Sequence, residues 1–145
     1  MAKMIFVNLP VADVAKATAF YEAIGCTHDI SFCKGPEASM LVWSDTITFM
    51  LLDHAHYANF TSKRIADARA TSEVMLALSR ESRADVDHIT EAALAAGGTE
   101  SRPADDHGFM YGRAFEDLDG HILEAVWMDV EAAMAAMNQP AEAAA

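Results

Sequence analysis

Glu124 is the one carboxylate in the run Ile122-Leu123-Glu124-Ala125-Val126-Trp127. An ionised side chain in an apolar run is costly to bury unless something pairs with it. Three kinds of partner are open: a metal, a substrate, or a hydrogen bond from Asn8 or Tyr111. As an anchor for a cationic ligand or as a general base, Glu124 is the candidate catalytic group. His107 lies in a Gly-containing loop, and Tyr111 and Arg113 follow it on a strand. Together these three can bind an anion or a phenol, with simple turn chemistry around His107-Gly108 as the plainer reading. His54 and His56 form a His-x-His pair. In an extended chain both point the same way and can share a metal with Asp53 or Glu124. His121 faces opposite to Glu124 and reads as a structural or rim residue. Cys26 and Cys33 have no evident base partner, so no thiol chemistry is expected.

The elements that must position these groups follow from pattern. Met4 to Val11 alternates as a strand, with Phe6, Asn8 and Pro10 on one face. Asp13 is a good N-cap for a helix. Val14, Ala17, Phe20, Tyr21 and Ile24 then fall at helical spacing, and Gly25 closes it. Strands are predicted near Thr27–Phe32, Ser39–Trp43 and Thr46–Leu52. The same order starts again at Val74. A strand reaches Leu78, Ser82 with Asp85 resembles a capping box, and Val86, Ile89, Ala93 and Leu94 line a helix that Gly97-Gly98 ends. Strands follow near Thr99–Arg102, Tyr111–Phe115 and Ile122–Trp127. Asp119-Gly120 supplies the turn before the last of them. The connector from His54 to Thr71 is expected to be helical in part, at Ser62–Ala70. Beyond Asp129 a short helix and a frayed tail are expected.

Composition narrows the function classes. The chain has 145 residues, 52% of them hydrophobic, enough for a full core in one domain. Its net charge of −12 argues against nucleic acid, which demands a basic footprint. That charge is compatible with a cationic ligand, and with solubility alone. No run approaches the roughly 18 apolar residues of a membrane span. A patterned strand begins almost at once, so no signal peptide is expected, and the two cysteines suit a reduced, cytoplasmic setting.

Four motifs in order resemble the vicinal oxygen chelate superfamily, which holds glyoxalases, bleomycin-resistance proteins and extradiol dioxygenases. They are Val7-Asn8-Leu9-Pro10-Val11-Ala12-Asp13, then Phe20-Tyr21-Glu22-Ala23-Ile24-Gly25, then Ala96-Gly97-Gly98, then Asp117-Leu118-Asp119-Gly120-His121-Ile122-Leu123-Glu124. The resemblance covers residues 4–128. It is closest to a bacterial branch labelled predicted lactoylglutathione lyase, whose segment Asp106-His107-Gly108-Phe109-Met110-Tyr111-Gly112-Arg113 also stands here. The resemblance implies an α+β fold: two βαβββ modules whose curled mixed sheets enclose a cavity. It implies a single domain over residues 1–130, with module one at about 1–58, a connector at about 59–72, module two at about 73–130, and an Ala-rich tail over 131–145. Metal-dependent members ligate from the first and last strands of both modules. Carried over by position, those ligands fall on Phe6, Met50, Met75 and Glu124.

Phe cannot ligate a divalent metal, and thioethers are soft ligands that suit Cu(I). A catalytic metal normally needs about three protein ligands. No cofactor is therefore expected, with a divalent metal on Glu124, His54 and His56 as the alternative. The expected pocket has apolar walls of Phe6, Met50 and Met75, with Asn8, His107, Tyr111, Arg113 and Glu124 as polar contacts. The leading expectation is a homodimeric binder of a small organic ligand, cationic or aromatic, in a metal-poor cavity. Two alternatives stand beside it: a metal-dependent glyoxalase-like lyase/isomerase or dioxygenase-like enzyme, and a non-catalytic protein with a vestigial pocket.

Overall fold

A computed structural model describes residues 1–33 and 35–138. Strand β1 (Ile5–Val11) leads into helix α1 (Val14–Ala23), β2 (Thr27–Asp29), β3 (Ala38–Val42) and β4 (Ile47–Asp53). A one-turn helix α2 (His54–Tyr57) and a 3-10 turn (Ala58–Phe60) open the connector. Then come β5 (Met75–Ser79), α3 (Arg83–Ala95), β6 (Thr99–Asp106), β7 (Met110–Glu116), β8 (Ile122–Met128) and α4 (Val130–Asn138). The strands form two four-stranded sheets of identical plan, β1-β4-β3-β2 and β5-β8-β7-β6. In each, the first strand pairs parallel with the last and the other pairs are antiparallel. The result is the expected α+β arrangement of two βαβββ units, with open sheets rather than closed barrels.

Local chemistry explains the helices. The Asp13 carboxylate accepts the Lys16 N–H at 3.0 Å and starts α1. The chain leaves α1 through Gly25, whose φ of +118° suits a residue without Cβ. Ser82 Oγ accepts the Asp85 N–H at 3.1 Å and starts α3.

One face of each sheet packs against helices. Leu9, Val11, Leu41, Phe49 and Leu51 of the first sheet join Phe20 and Tyr21 of α1. Leu78, Phe115, Leu123 and Ala125 of the second join Val86, Ile89 and Ala93 of α3. All belong to one continuous core, so the two units meet through their helix-bearing faces. Their opposite faces are left open.

Three expectations on element bounds need correction. Strand β2 stops at Asp29, because the Asp29 carboxylate accepts the Ser31 N–H at 2.9 Å and turns the chain out of the ladder. The connector is not helical over 62–70. Asp53 caps α2 by accepting the His56 N–H at 2.7 Å, and the Asp67 carboxylate makes a tight turn with the Arg69 N–H at 3.0 Å. Strand β6 runs on to Asp106, with register breaks between Glu100 and Arg102 and between Arg102 and Asp105. The expected C-terminal helix is α4, whereas the tail beyond Asn138 lies outside the described residues.

The two units are tied together at the turn between β7 and β8. The Tyr21 hydroxyl donates to Asp117 Oδ2 at 2.7 Å, the Ala12 N–H to Asp119 Oδ1 at 2.8 Å, and His121 Nε2 to the Pro10 carbonyl at 2.8 Å. At the other end the Arg80 guanidinium stacks 5.4 Å from the Trp43 ring centroid.

Candidate functional site

Side chains alternate across a strand. On β7, Tyr111, Arg113 and Phe115 face α3, so Met110, Gly112 and Ala114 face the open side. On β8, Leu123 and Ala125 are in the core, so Ile122, Glu124 and Val126 face the open side. On β5, Leu76 and Leu78 pack inward, leaving Met75, Ala77 and Ser79 open.

Glu124 sits in a row across this open face. Its neighbours in register are Ala77 on β5 and Ala114 on β7, and Ala114 is opposite Arg102 on β6. The Arg102 guanidinium reaches over Ala114 and donates to Glu124 Oε1 at 2.8 Å. That span crosses two strand spacings, roughly 9–10 Å of sheet. A small side chain at 114 makes it possible. The Glu124 side chain is 17% exposed and that of Arg102 is 41% exposed. So the partner of Glu124 is neither Asn8 nor Tyr111 but Arg102, which sequence reasoning did not single out.

The reason is the bulge in β6. Glu100 is opposite Phe115 and lies on the helix side, where it bonds Arg113. In a regular strand Arg102, two residues on, shares that side. The register break between them inserts one extra residue and turns Arg102 onto the open face. Pro103, which has no N–H to give the ladder, follows directly.

The other expected contacts divide among several places. Tyr111 and Arg113 point to α3 and away from Glu124. The Tyr111 hydroxyl donates to Asp87 Oδ1 at 2.6 Å, and that bond holds its phenol above the usual range. Arg113 is paired with Asp87 at 3.1 Å, Glu91 at 2.9 Å and Glu100. Asp87 and Glu91 of α3 are thus partners of Arg113. His107 lies at the tip of the β6–β7 hairpin, half exposed, 2.9 Å from Asp105 Oδ1. Phe6, Asn8 and Met50 share the open face of the first sheet, with Asn8 and Met50 directly opposite in register. Met75 is exposed on β5, opposite Ile122. A cavity of about 290 Å³ beside β1 is lined by Asn8, Tyr57, Lys63, Arg64 and His121, and takes Asn8 alone of the expected set.

A divalent metal does not fit the residues that occupy the carried-over positions. Phe6 offers no lone pair, Met50 and Met75 offer soft thioethers, and Glu124 is already bonded to a guanidinium. His54 and His56 lie on α2, so their side chains diverge instead of sharing a side as in extended chain. Among the described residues, no group of three or more His, Cys, Asp or Glu side chains is placed to hold a metal within one chain. Burial pushes the Cys26 thiol up to about 12, so it is not a nucleophile at neutral pH.

The deeply buried acid is a different residue, Asp117, 6% exposed. Its Oδ1 accepts the N–H groups of Asp119 and His121, each at 2.9 Å, while Oδ2 takes the Tyr21 hydroxyl. The signal was present as Asp-x-Asp-Gly, in which the first Asp bonds forward to the turn backbone. Burial raises the Asp117 carboxyl above the usual value of 3.8, against the opposing pull of His121, Tyr21 and the two backbone donors. The folded state therefore holds this proton more tightly than the unfolded chain. Its contribution is fully present below 3.8 and is lost as pH rises through the raised value. The stability advantage of the natural chain over Asp117→Asn should shrink as pH rises across that window. Urea titrations of both proteins at a series of pH values check this; an advantage that grows with pH would contradict it.

No protein-family model matches the chain, and no curated protein matches it. Solved structures do. A hypothetical protein from S. aureus is similar with a TM-score of 0.74 at 24% identity, covering 88% of this chain and 95% of that one. A glyoxalase-related enzyme from Fulvimarina pelagi gives a TM-score of 0.72 at 21% identity, covering 88% of each chain. A glyoxalase/bleomycin resistance protein/dioxygenase family enzyme from Burkholderia phytofirmans gives 0.71 at 19% identity, covering 88% and 99%. Among the described residues no helix is long and apolar enough to cross a membrane. With its two βαβββ units and this set of structural neighbours, the chain has the fold of the glyoxalase/bleomycin resistance/dioxygenase proteins, the vicinal oxygen chelate fold.

Proposed function

We propose that this chain binds a small organic ligand on the open face of its second sheet, with the first sheet of another copy closing the pocket. The observation that carries this reading is Glu124. It is a largely enclosed, ion-paired carboxylate on a sheet face turned away from α3, with only Ala beside it in register on β5 and β7. A polar pair on a small-residue floor is the composition of a ligand pocket: a few placed polar groups within apolar surroundings. Exposed Phe6 on β1, Met75 on β5 and Met128 on β8 supply the apolar rim that a second copy would cover. A homodimer is therefore part of this reading. The donor set at Phe6, Met50, Met75 and Glu124 favours binding over metal-dependent lyase chemistry.

A thermal-shift screen tests it. Aromatic acids, amines and neutral amides are added at millimolar concentration to the full chain and to Ala77→Trp, which fills the floor beside Glu124. A ligand at a hundred times its Kd stabilises the fold by about 2.7 kcal/mol. The expected result is at least one class that raises the midpoint of the natural chain and leaves Ala77→Trp unmoved. No shift with any class, or equal shifts in both proteins, would refute the reading.

A further inference from the structure

We infer that Arg102 is the ligand-recognising group of this pocket, and that the pocket selects a small molecule carrying a carboxylate or a similar planar oxyanion. This rests on the pocket reading above and sharpens it. A lone Glu124 would select cations, as the sequence suggested. Paired with Arg102 it cannot do so at full strength, because the guanidinium already satisfies Oε1.

The asymmetry of the pair decides which member faces the ligand. Arg102 is more than twice as exposed as Glu124. Its bond to Glu124 uses one guanidinium nitrogen, Nη1. A guanidinium carries five N–H donors in a planar fork and matches a carboxylate through two parallel bonds. The donors on Nη2 and Nε make no hydrogen bond to Glu124. Glu124 on this view is a positioning residue. It holds the guanidinium flat across Ala114, against the open face, and keeps it from swinging into solvent.

The floor fits this assignment. Ala77, Glu124, Ala114 and Arg102 form one row in register across all four strands. Gly112 lies beside this row, opposite Val126, on the same face. Two Ala and a Gly leave depth for a ligand body beside the guanidinium. The β6 bulge exists where it is needed for this purpose: it alone takes Arg102 off the side of Glu100 and Arg113. Bulges commonly re-aim a side chain in this way beside active sites. The one charge turned outward on this row is thus a fixed organic cation. Such a site discriminates by charge without any metal.

Three isosteric probes separate the outcomes: phenylacetate, phenylacetamide and phenethylamine, titrated into the full chain by two-dimensional amide NMR. Phenylacetate is expected to bind most tightly and to perturb residues of β6, β7 and β8. Arg102→Gln should weaken it by roughly tenfold or more, the loss of a charged hydrogen-bonding pair. Glu124→Gln should tighten it, because the amide oxygen can still accept from Nη1 and position the guanidinium while the competing negative charge is gone; weaker phenylacetate binding in this variant would overturn the assignment of Arg102. Preserved amide dispersion in both variants shows that each is folded. Arg102→Lys, which keeps the charge but loses the planar fork, should recover only part of the affinity. If phenylacetamide or phenethylamine binds as well as phenylacetate at an Ala77→Trp-sensitive site, the pocket stands and the oxyanion assignment falls. If no probe binds, both fall.

Discussion

Gly120→Ala should cost about 2–5 kcal/mol of stability, the sum of a left-handed backbone for a residue with Cβ and an overpacked contact. Gly120 has φ +91°, and a Cβ there would lie 2.8 Å from the Arg69 nitrogen and 2.9 Å from the Ala68 carbonyl carbon and oxygen. Those are backbone atoms of the connector, which cannot rotate aside as a side-chain end can. The Arg69 guanidinium also donates to the Leu118 carbonyl at 2.6 Å, so the connector and the turn are bonded together at this spot. Gly108→Ala is the control. It too has positive φ, +78°, but nothing lies within 4 Å of its Cβ position. It should lose only about 1–2 kcal/mol, the conformational part. Urea midpoints with unchanged m-values check both. Equal losses at the two sites would show that the connector does not press on Gly120.

Asp117→Ala should be comparably damaging, at about 3–4 kcal/mol, because three donors lose their acceptor at once. Two are backbone N–H groups of the turn, and the third is the hydroxyl of Tyr21, which is fully buried. Tyr21→Phe should cost less, about 1–3 kcal/mol, since only Asp117 Oδ2 loses its donor while Oδ1 keeps both backbone N–H groups. The double variant should cost less than the sum of the two, a coupling that measures the bond across the two units. Additive losses would mean that Tyr21 and Asp117 act independently. The same bond links α1 of the first unit to the turn that launches β8. Loss of Asp117 should therefore disturb the placement of Glu124 as well as stability.

Much of the architecture was legible in the residues. Asp13 and Ser82 marked the starts of α1 and α3, because a short oxygen-bearing side chain can accept an N–H that the first turn leaves unpaired. Alternation placed Phe6 and Asn8 on one face of β1 and Glu124 opposite to His121, because side-chain direction in a strand follows from parity alone. The repeat of strand, helix and three strands anticipated two sheets of identical order. These are local properties, settled within a few residues of where they are read.

What was not legible depended on breaks in parity or on contacts far along the chain. The partner of Glu124 is 22 residues away and reaches it only because a bulge shifts the pairing of β6. Counting from Glu100 puts Arg102 on the wrong side. Tyr111 and Arg113 carried the right chemistry for an anion site, yet regular alternation on β7 commits them to Asp87, Glu91 and Glu100. Asp117 reads as one of several acids in a turn, and only the packing of α1 against that turn brings the Tyr21 hydroxyl to it across 96 residues. By itself, then, the sequence determined the elements, their order and which residues of a strand share a face. Which charge Glu124 meets, and which side of the sheet it stands on, was decided only by tertiary structure. Ladder register and long-range packing, and no local rule, choose the partner of a buried charge.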